Sequence, residues 1–211
     1  NSLLTSTADP DKLFDFFLDN GIYSIKLNPV TNSGRAIMAL TQKEKDIHQI
    51  TQNYIIFIKK IIQHNLDHDK TLHEANLRSF FYKITGKMSP YICSNDPCGM
   101  GNIMLMLDEN GILYPCEEFY GINDFKIGYI KTFTCLDKIR TCCSTVTKQF
   151  EIEKSDLCND CPYLIFCGGM CLKRYYMRNH DICFFQRETI QFFLNYIIDN
   201  LNRLDHIKKM L

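Results

Sequence analysis

Four cysteines, Cys158, Cys161, Cys167 and Cys171, fall within 14 residues, separated by two, five and three residues, and Cys183 follows. Packing alone does not call for four thiols at turn spacing. Soft thiolates brought to one place select zinc or an iron–sulfur cluster. Cys93, Cys98 and Cys116 form a second group upstream, with the chain turning back between Cys98 and Cys116 at Asp108-Glu109-Asn110-Gly111. The two groups offer eight thiolates, enough for two four-cysteine sites. A zinc ribbon pairs two Cys-x2-Cys knuckles. Only Cys158/Cys161 has that spacing, so the intervals lean towards clusters without deciding the matter.

Composition narrows the chemistry. Eleven cysteines in a chain of 211 residues is an odd number, and no signal-peptide pattern is seen, so metal ligation is favoured over disulfides and a cytoplasmic setting is expected. Lys and Arg balance Asp and Glu at 24 each, which gives no electrostatic case for nucleic acid or an anionic membrane. No apolar run reaches the length of a membrane span. With 45% hydrophobic residues, the chain can bury a sizeable core.

Several elements must position the thiols. Asn1–Thr5 has strand composition, and Asp9-Pro10 caps a short helix whose apolar face is read as Leu13, Phe16 and Phe17, stopped by Gly21. A β-rich run, Ile22 to Leu27, is closed by Pro29. This order is the grammar of parallel βαβ pairing. Thr41 and Glu44 form a capping box for a long helix bearing Ile47, Ile50, Tyr54, Phe57 and Ile61. A second box, Thr71 and Glu74, opens a helix running to about Gly86. His64, His68 and His73 lie between them, read as exposed residues of a polar loop and not as ligands. After Pro90 the character changes. Ile103–Leu107 and Ile112–Tyr114 read as a hairpin, and Lys126–Ile130 as a further short strand. A helix is expected over 136–150, a loop-rich stretch over 155–183, and a closing helix from Phe184 with Ile190, Phe193, Ile197, Leu201, Leu204 and Ile207 on its apolar face. Cys135, Cys142 and Cys143 read as packed thiols.

The intervals also carry a resemblance. Cys98, twelve residues, Gly111, four residues, Cys116 resembles the opening half of the SPASM domain of radical S-adenosylmethionine enzymes. Cys158-x2-Cys161-x5-Cys167-x3-Cys171, then Cys183, is similar to its closing half at every interval. The resemblance implies an α+β chain: the C-terminal end of a partial (β/α) radical SAM barrel, then a loop-rich SPASM domain with a β-hairpin and a closing helix. The implied divisions are 1–65 for the barrel end, 66–90 for a connecting helix, 91–190 for the SPASM domain and 191–211 for the C-terminal helix. It further implies two [4Fe–4S] clusters, one on Cys93, Cys98, Cys116 and Cys171, the other on Cys158, Cys161, Cys167 and Cys183.

The family's Cys-x3-Cys-x2-Cys motif is not in this chain. S-adenosylmethionine and a third cluster are therefore expected in a preceding region, with the present chain inactive alone. The implied activity is oxidation or cross-linking of a peptide or protein substrate, with an electron donor such as flavodoxin or ferredoxin. In related sulfatase-maturing enzymes an Asp directly after the Cys116 position is proposed to take a substrate proton. Glu117 stands in that place and is the candidate base, the alternative being a surface glutamate. Gly168-Gly169 is read as letting the backbone pass close to cluster sulfurs. Two other functions remain open: a non-catalytic iron–sulfur electron-transfer or adaptor module, and a structural zinc protein.

Overall fold

The computed structural model describes residues 2–31, 36–89, 93, 98–169, 171–178 and 181–202, with backbone alone for 37, 149–150 and 152–157. The expectations at Asn1, Pro90, Leu204 and Ile207 lie outside the described residues.

The chain opens with β1 (Ser2–Leu4), α1 (Pro10–Asp19), β2 (Ser24–Ile25) and β3 (Leu27–Pro29). Asp9 caps α1 by accepting from the Asp11 and Lys12 amides at 3.0 and 3.2 Å, and Pro10 fills the first turn, where no amide donor is needed. The buried face of α1 is Phe14 and Phe17, both edge-on to Phe57 at 6.0 Å. Phe16, expected inside, is 55% exposed, because α1 docks on α3 through the stripe that carries Phe14 and Phe17.

The expected single strand over 22–27 is divided. β3 runs parallel to β1, with Ser2 opposite Leu27 and Leu4 opposite Pro29, while β2 pairs in parallel with β4 (His73–Glu74). Pro29 ends inside the pairing instead of beyond it. It needs no donor there, because the Val30 amide makes the next bond, to the Leu4 carbonyl at 2.9 Å.

The Thr41–Glu44 box forms reciprocally: the Thr41 amide donates to Glu44 at 2.8 Å and the Glu44 amide to the Thr41 hydroxyl at 3.2 Å. It closes a short 3₁₀ turn, Lys43–Lys45, after the short α2 (Ala36–Ala39). The long helix α3 (Ile47–Asp67) has its own cap, Asp46, whose carboxylate accepts from the His48 and Gln49 amides. α4 (Ala75–Ile84) likewise departs from expectation. Glu74 is its cap, not the far end of a box begun by Thr71. In both cases a carboxylate directly before the first buried turn is the nearer acceptor.

The hairpin strands are β5 (Met106–Leu107) and β6 (Ile112–Tyr114), with β7 (Gly128–Tyr129) antiparallel on the other side of β6. Asp108 holds the turn, accepting from the Asn110 and Ile112 amides. β5 is shorter than expected, because residues 99–104 fold into a turn that leaves Ile103 exposed.

α5 (Leu136–Cys158) runs on past Phe150 to take in Cys158. Its extension, 151–157, carries Glu151, Glu153 and Lys154, good helix formers. The stretch expected as loop contains two one-turn helices, α6 (Leu164–Cys167) and α7 (Leu172–Tyr176). The closing helix α8 (Asp181–Asp199) starts early enough to carry Cys183.

The main core joins α1, α3, α4 and α8 around Phe57, Ile61, Phe80, Phe185 and Phe193. Tyr54 meets Phe185 edge-on at 4.9 Å. Ile190 and Phe193 are buried as expected, whereas Leu201 is exposed just beyond the end of α8. Two smaller clusters use opposite faces of β6. Tyr114 packs with Cys116, Phe119, Phe125 and Leu172, while Leu113 packs with Ile127, Ile139 and Cys143. Among the described residues no helix is long and apolar enough to cross a membrane.

Candidate metal centre

Cys158, Cys161, Cys167 and Cys183 line one pocket together with Tyr163, Leu164, Gly169, Gln186 and Arg187. Three local devices bring them there. Cys158 ends α5, and its carbonyl accepts from the Cys161 amide at 2.9 Å, which folds the two-residue spacing into a turn. Cys167 ends α6, where Gly168 and Gly169 both take left-handed backbone conformations that a side chain would strain. Cys183 is presented by the first turn of α8.

The four thiols lie within one another's field. Burial pushes Cys183 up to about 11, with Cys167, Cys158 and Cys161 adding and Arg187 opposing. Burial likewise raises Cys167, while Lys83 pulls it down. A bound cation inverts this balance, because it favours the thiolate form of each ligand.

Cys116 is buried at the end of β6 and is pushed up to about 12 by burial, with Cys171 and Cys98 adding. Cys98 is brought near by the 99–104 turn, in which the Gly101 amide bonds the Pro115 and Met104 carbonyls, both at 2.9 Å. Gly101 has φ +70°, and a β-carbon there would run into the Cys143 thiol. Cys171 begins α7, which is fixed on two sides. Tyr176 donates to Asp124 at 2.8 Å, and Arg174 donates to the Thr31 hydroxyl. Cys93 is an exposed residue, yet protein around its thiol raises it, and Cys171, Cys98 and Glu117 add to the rise. Cys98 and Cys171 thus act on both Cys93 and Cys116.

Glu117 is exposed at the start of the turn Glu117–Phe119, with its carboxylate near enough to act on Cys93. Cys143 is buried against the hairpin and Cys142 half-buried beside it, while Cys135, expected to be packed, is exposed in the turn before α5. His64 and His68 stack at 4.3 Å, and each bonds a backbone carbonyl. Both belong to α3 or its cap, not to a loop.

Among the described residues no three His, Cys, Asp or Glu side chains form a set able to hold a metal ion. The thiols instead rim the pocket from three segments. A four-iron cluster is wider than one ion and takes its thiolates at separate corners, so all-sulfur donors around a cavity fit its donor chemistry.

Lys83, beside Cys167, carries no local signal in the sequence. Lys83 meets its partner, Phe166, across 83 residues of chain.

No protein-family model matches the chain, and no curated protein matches it in sequence. Among solved structures it is similar to an anaerobic sulfatase-maturating enzyme, anSMEcpe, with bound AdoMet. Identity is 15%, covering 92% of this chain and 55% of that one, with a TM-score of 0.68. The same enzyme with bound AdoMet and Cp18Cys peptide gives 14% identity, 93% and 56% coverage and a TM-score of 0.69. With AdoMet and Kp18Cys peptide the values are 14%, 93%, 56% and 0.67. The chain therefore shares the fold of these radical SAM enzymes and spans about half the length of the structures it matches.

Proposed function

We propose that this chain is the auxiliary iron–sulfur portion, with the end of the barrel, of a radical S-adenosylmethionine enzyme that oxidatively modifies or cross-links a peptide or protein. The observation that supports this most is the meeting of Cys158, Cys161, Cys167 and Cys183 around one pocket, in a chain that shares the fold of radical SAM enzymes. In this reading those four thiolates hold one [4Fe–4S] cluster, and Cys93, Cys98, Cys116 and Cys171 hold the other. When bound, such clusters supply one-electron acceptance from the substrate.

The chain's own residues do the rest. Cys171 leaves its close sequence neighbours and ties α7 to the hairpin, as the crossing cysteine does in two-cluster ferredoxins. Gly168 and Gly169 keep side chains away from the pocket lined by Cys158, Cys161, Cys167 and Cys183. Glu117, at the edge of the first group, takes the substrate proton through its carboxylate. Residues 1–65 close the barrel, 66–90 connect, 91–190 bind the clusters and 191–211 form the closing helix. S-adenosylmethionine and a third cluster belong to a region preceding this chain, and the reducing electron comes from a flavodoxin or ferredoxin in the cytoplasm.

The test is the ligand grouping. Cys171→Ala is expected to damage the same spectroscopic signal as Cys116→Ala, and Cys183→Ala the other one. A Cys171 variant that perturbs only the Cys183 signal would refute the crossed arrangement.

A further inference from the structure

Beside the thiol-lined pocket lies a second cavity, bounded by α4, α6 and α8. Its lining includes Cys93 from one thiol group and Cys167 from the other. Lys83 is the only cation among the described lining residues. Its ammonium is half-buried and donates to the Phe166 carbonyl at 2.8 Å. Phe166 lies in the single turn of α6, where carbonyls lack helical partners. The contact fixes the backbone one residue before Cys167.

We propose that Lys83 is a positioning residue for the group bound by Cys158, Cys161, Cys167 and Cys183, and that its charge raises that group's reduction potential. The proposal rests on the iron–sulfur reading above. Four thiolates around an iron–sulfur core make a net anion, and one-electron reduction adds a further negative charge. A cation held at the rim of a partly water-excluded cavity therefore stabilises the reduced form more than the oxidised form. Lys83 bonds the backbone directly beside Cys167, a ligand of this group, whereas Cys93 shares only the cavity.

The test compares reconstituted wild-type protein with Lys83→Gln and Lys83→Arg in an EPR-monitored redox titration, following the signal that disappears in Cys183→Ala. Gln keeps a donor for the Phe166 carbonyl but removes the charge, whereas Arg keeps both. Lys83→Gln should retain its iron and shift the midpoint to a more negative value. At the wild-type midpoint its reduced-to-oxidised ratio should fall on the order of threefold or more. Lys83→Arg should restore the wild-type midpoint, and the Cys116-dependent signal should move less. An unchanged midpoint in Lys83→Gln with full iron would overturn the proposal, because a purely structural lysine would leave the potential alone. Loss of the cluster in both variants would overturn it too, since Arg preserves charge and donor. Wild-type protein lacking iron and sulfide would defeat the cluster reading itself, and this proposal with it.

Discussion

The Tyr54 hydroxyl donates to the Glu74 carboxylate at 2.7 Å inside the main core, where Glu74 is 1% exposed. The same carboxylate accepts from the Leu27 amide of β3 at 3.2 Å and from the Asn76 and Leu77 amides of α4, both at 2.9 Å. One side chain thus joins α3, β3 and α4. Burial raises the Glu74 pKa from its ordinary value, with these hydrogen bonds only partly opposing it.

That shift has a definite sign. A carboxyl whose folded pKa lies above its unfolded value stabilises the fold most below the unfolded pKa, and the contribution is lost as pH rises through the folded pKa. The Tm of the wild type should therefore fall relative to that of Glu74→Gln as pH rises from about 4.5 through that window. A Tm difference independent of pH would contradict the shift. Tyr54→Phe, which removes one donor from the carboxylate, should cost about 1–3 kcal/mol in denaturant unfolding.

Gly101→Ala tests how the first thiol group is built. It adds left-handed strain of about 1–3 kcal/mol and places a methyl against Cys143. The 99–104 turn should shift, taking Cys98 away from Cys116. Iron analysis is expected to show loss of the first group's share while the Cys183-dependent signal persists. Adding Cys143→Ala should recover part of the loss by opening space, but not the backbone strain. Full iron in Gly101→Ala would show that the turn does not position Cys98.

The 211-residue chain alone should not cleave S-adenosylmethionine, because Cys-x3-Cys-x2-Cys is absent from it. Strong reductant should yield no 5′-deoxyadenosine above a clusterless control. In a longer polypeptide carrying that motif, Glu117→Gln should spare cleavage and slow product formation by roughly 10²-fold or more if Glu117 is the base. Equal product formation in wild type and Glu117→Gln would leave Glu117 as an exposed surface residue.

What was legible in the sequence was local. Asp9-Pro10 gave the start of α1, the Asp108 turn gave the hairpin, and a regular apolar stripe gave the buried face of α3. The errors have physical causes. Leu13 and Phe16 form one i, i+3 stripe on α1 and Phe14 and Phe17 another, and only docking against Phe57 selects the second. Thr41–Glu44 is a sound capping box, but Asp46 lies nearer the first buried turn and captures the long helix. The dense cysteines after 155 suggested loop, although the helix formers between Phe150 and Cys158 extend α5. Intervals alone could mark the cysteines as ligands. They grouped Cys116 with Cys171 only through the resemblance they carry; no local pattern shows it, because the placing of Cys171 depends on α7 docking through Arg174 and Tyr176 to distant residues. The Lys83–Phe166 contact was beyond reach for the same reason.

Metal content tests the central claim most directly. Protein reconstituted anaerobically, with wild-type Cys158, Cys161, Cys167 and Cys183, should bind about eight iron and eight sulfide in this chain, from two four-iron clusters. An absorption band near about 400 nm should accompany them, since zinc has a filled d shell and gives none. Cys158→Ala or Cys167→Ala should remove about half of the iron. Stoichiometric zinc without sulfide, in protein purified anaerobically, would contradict the account.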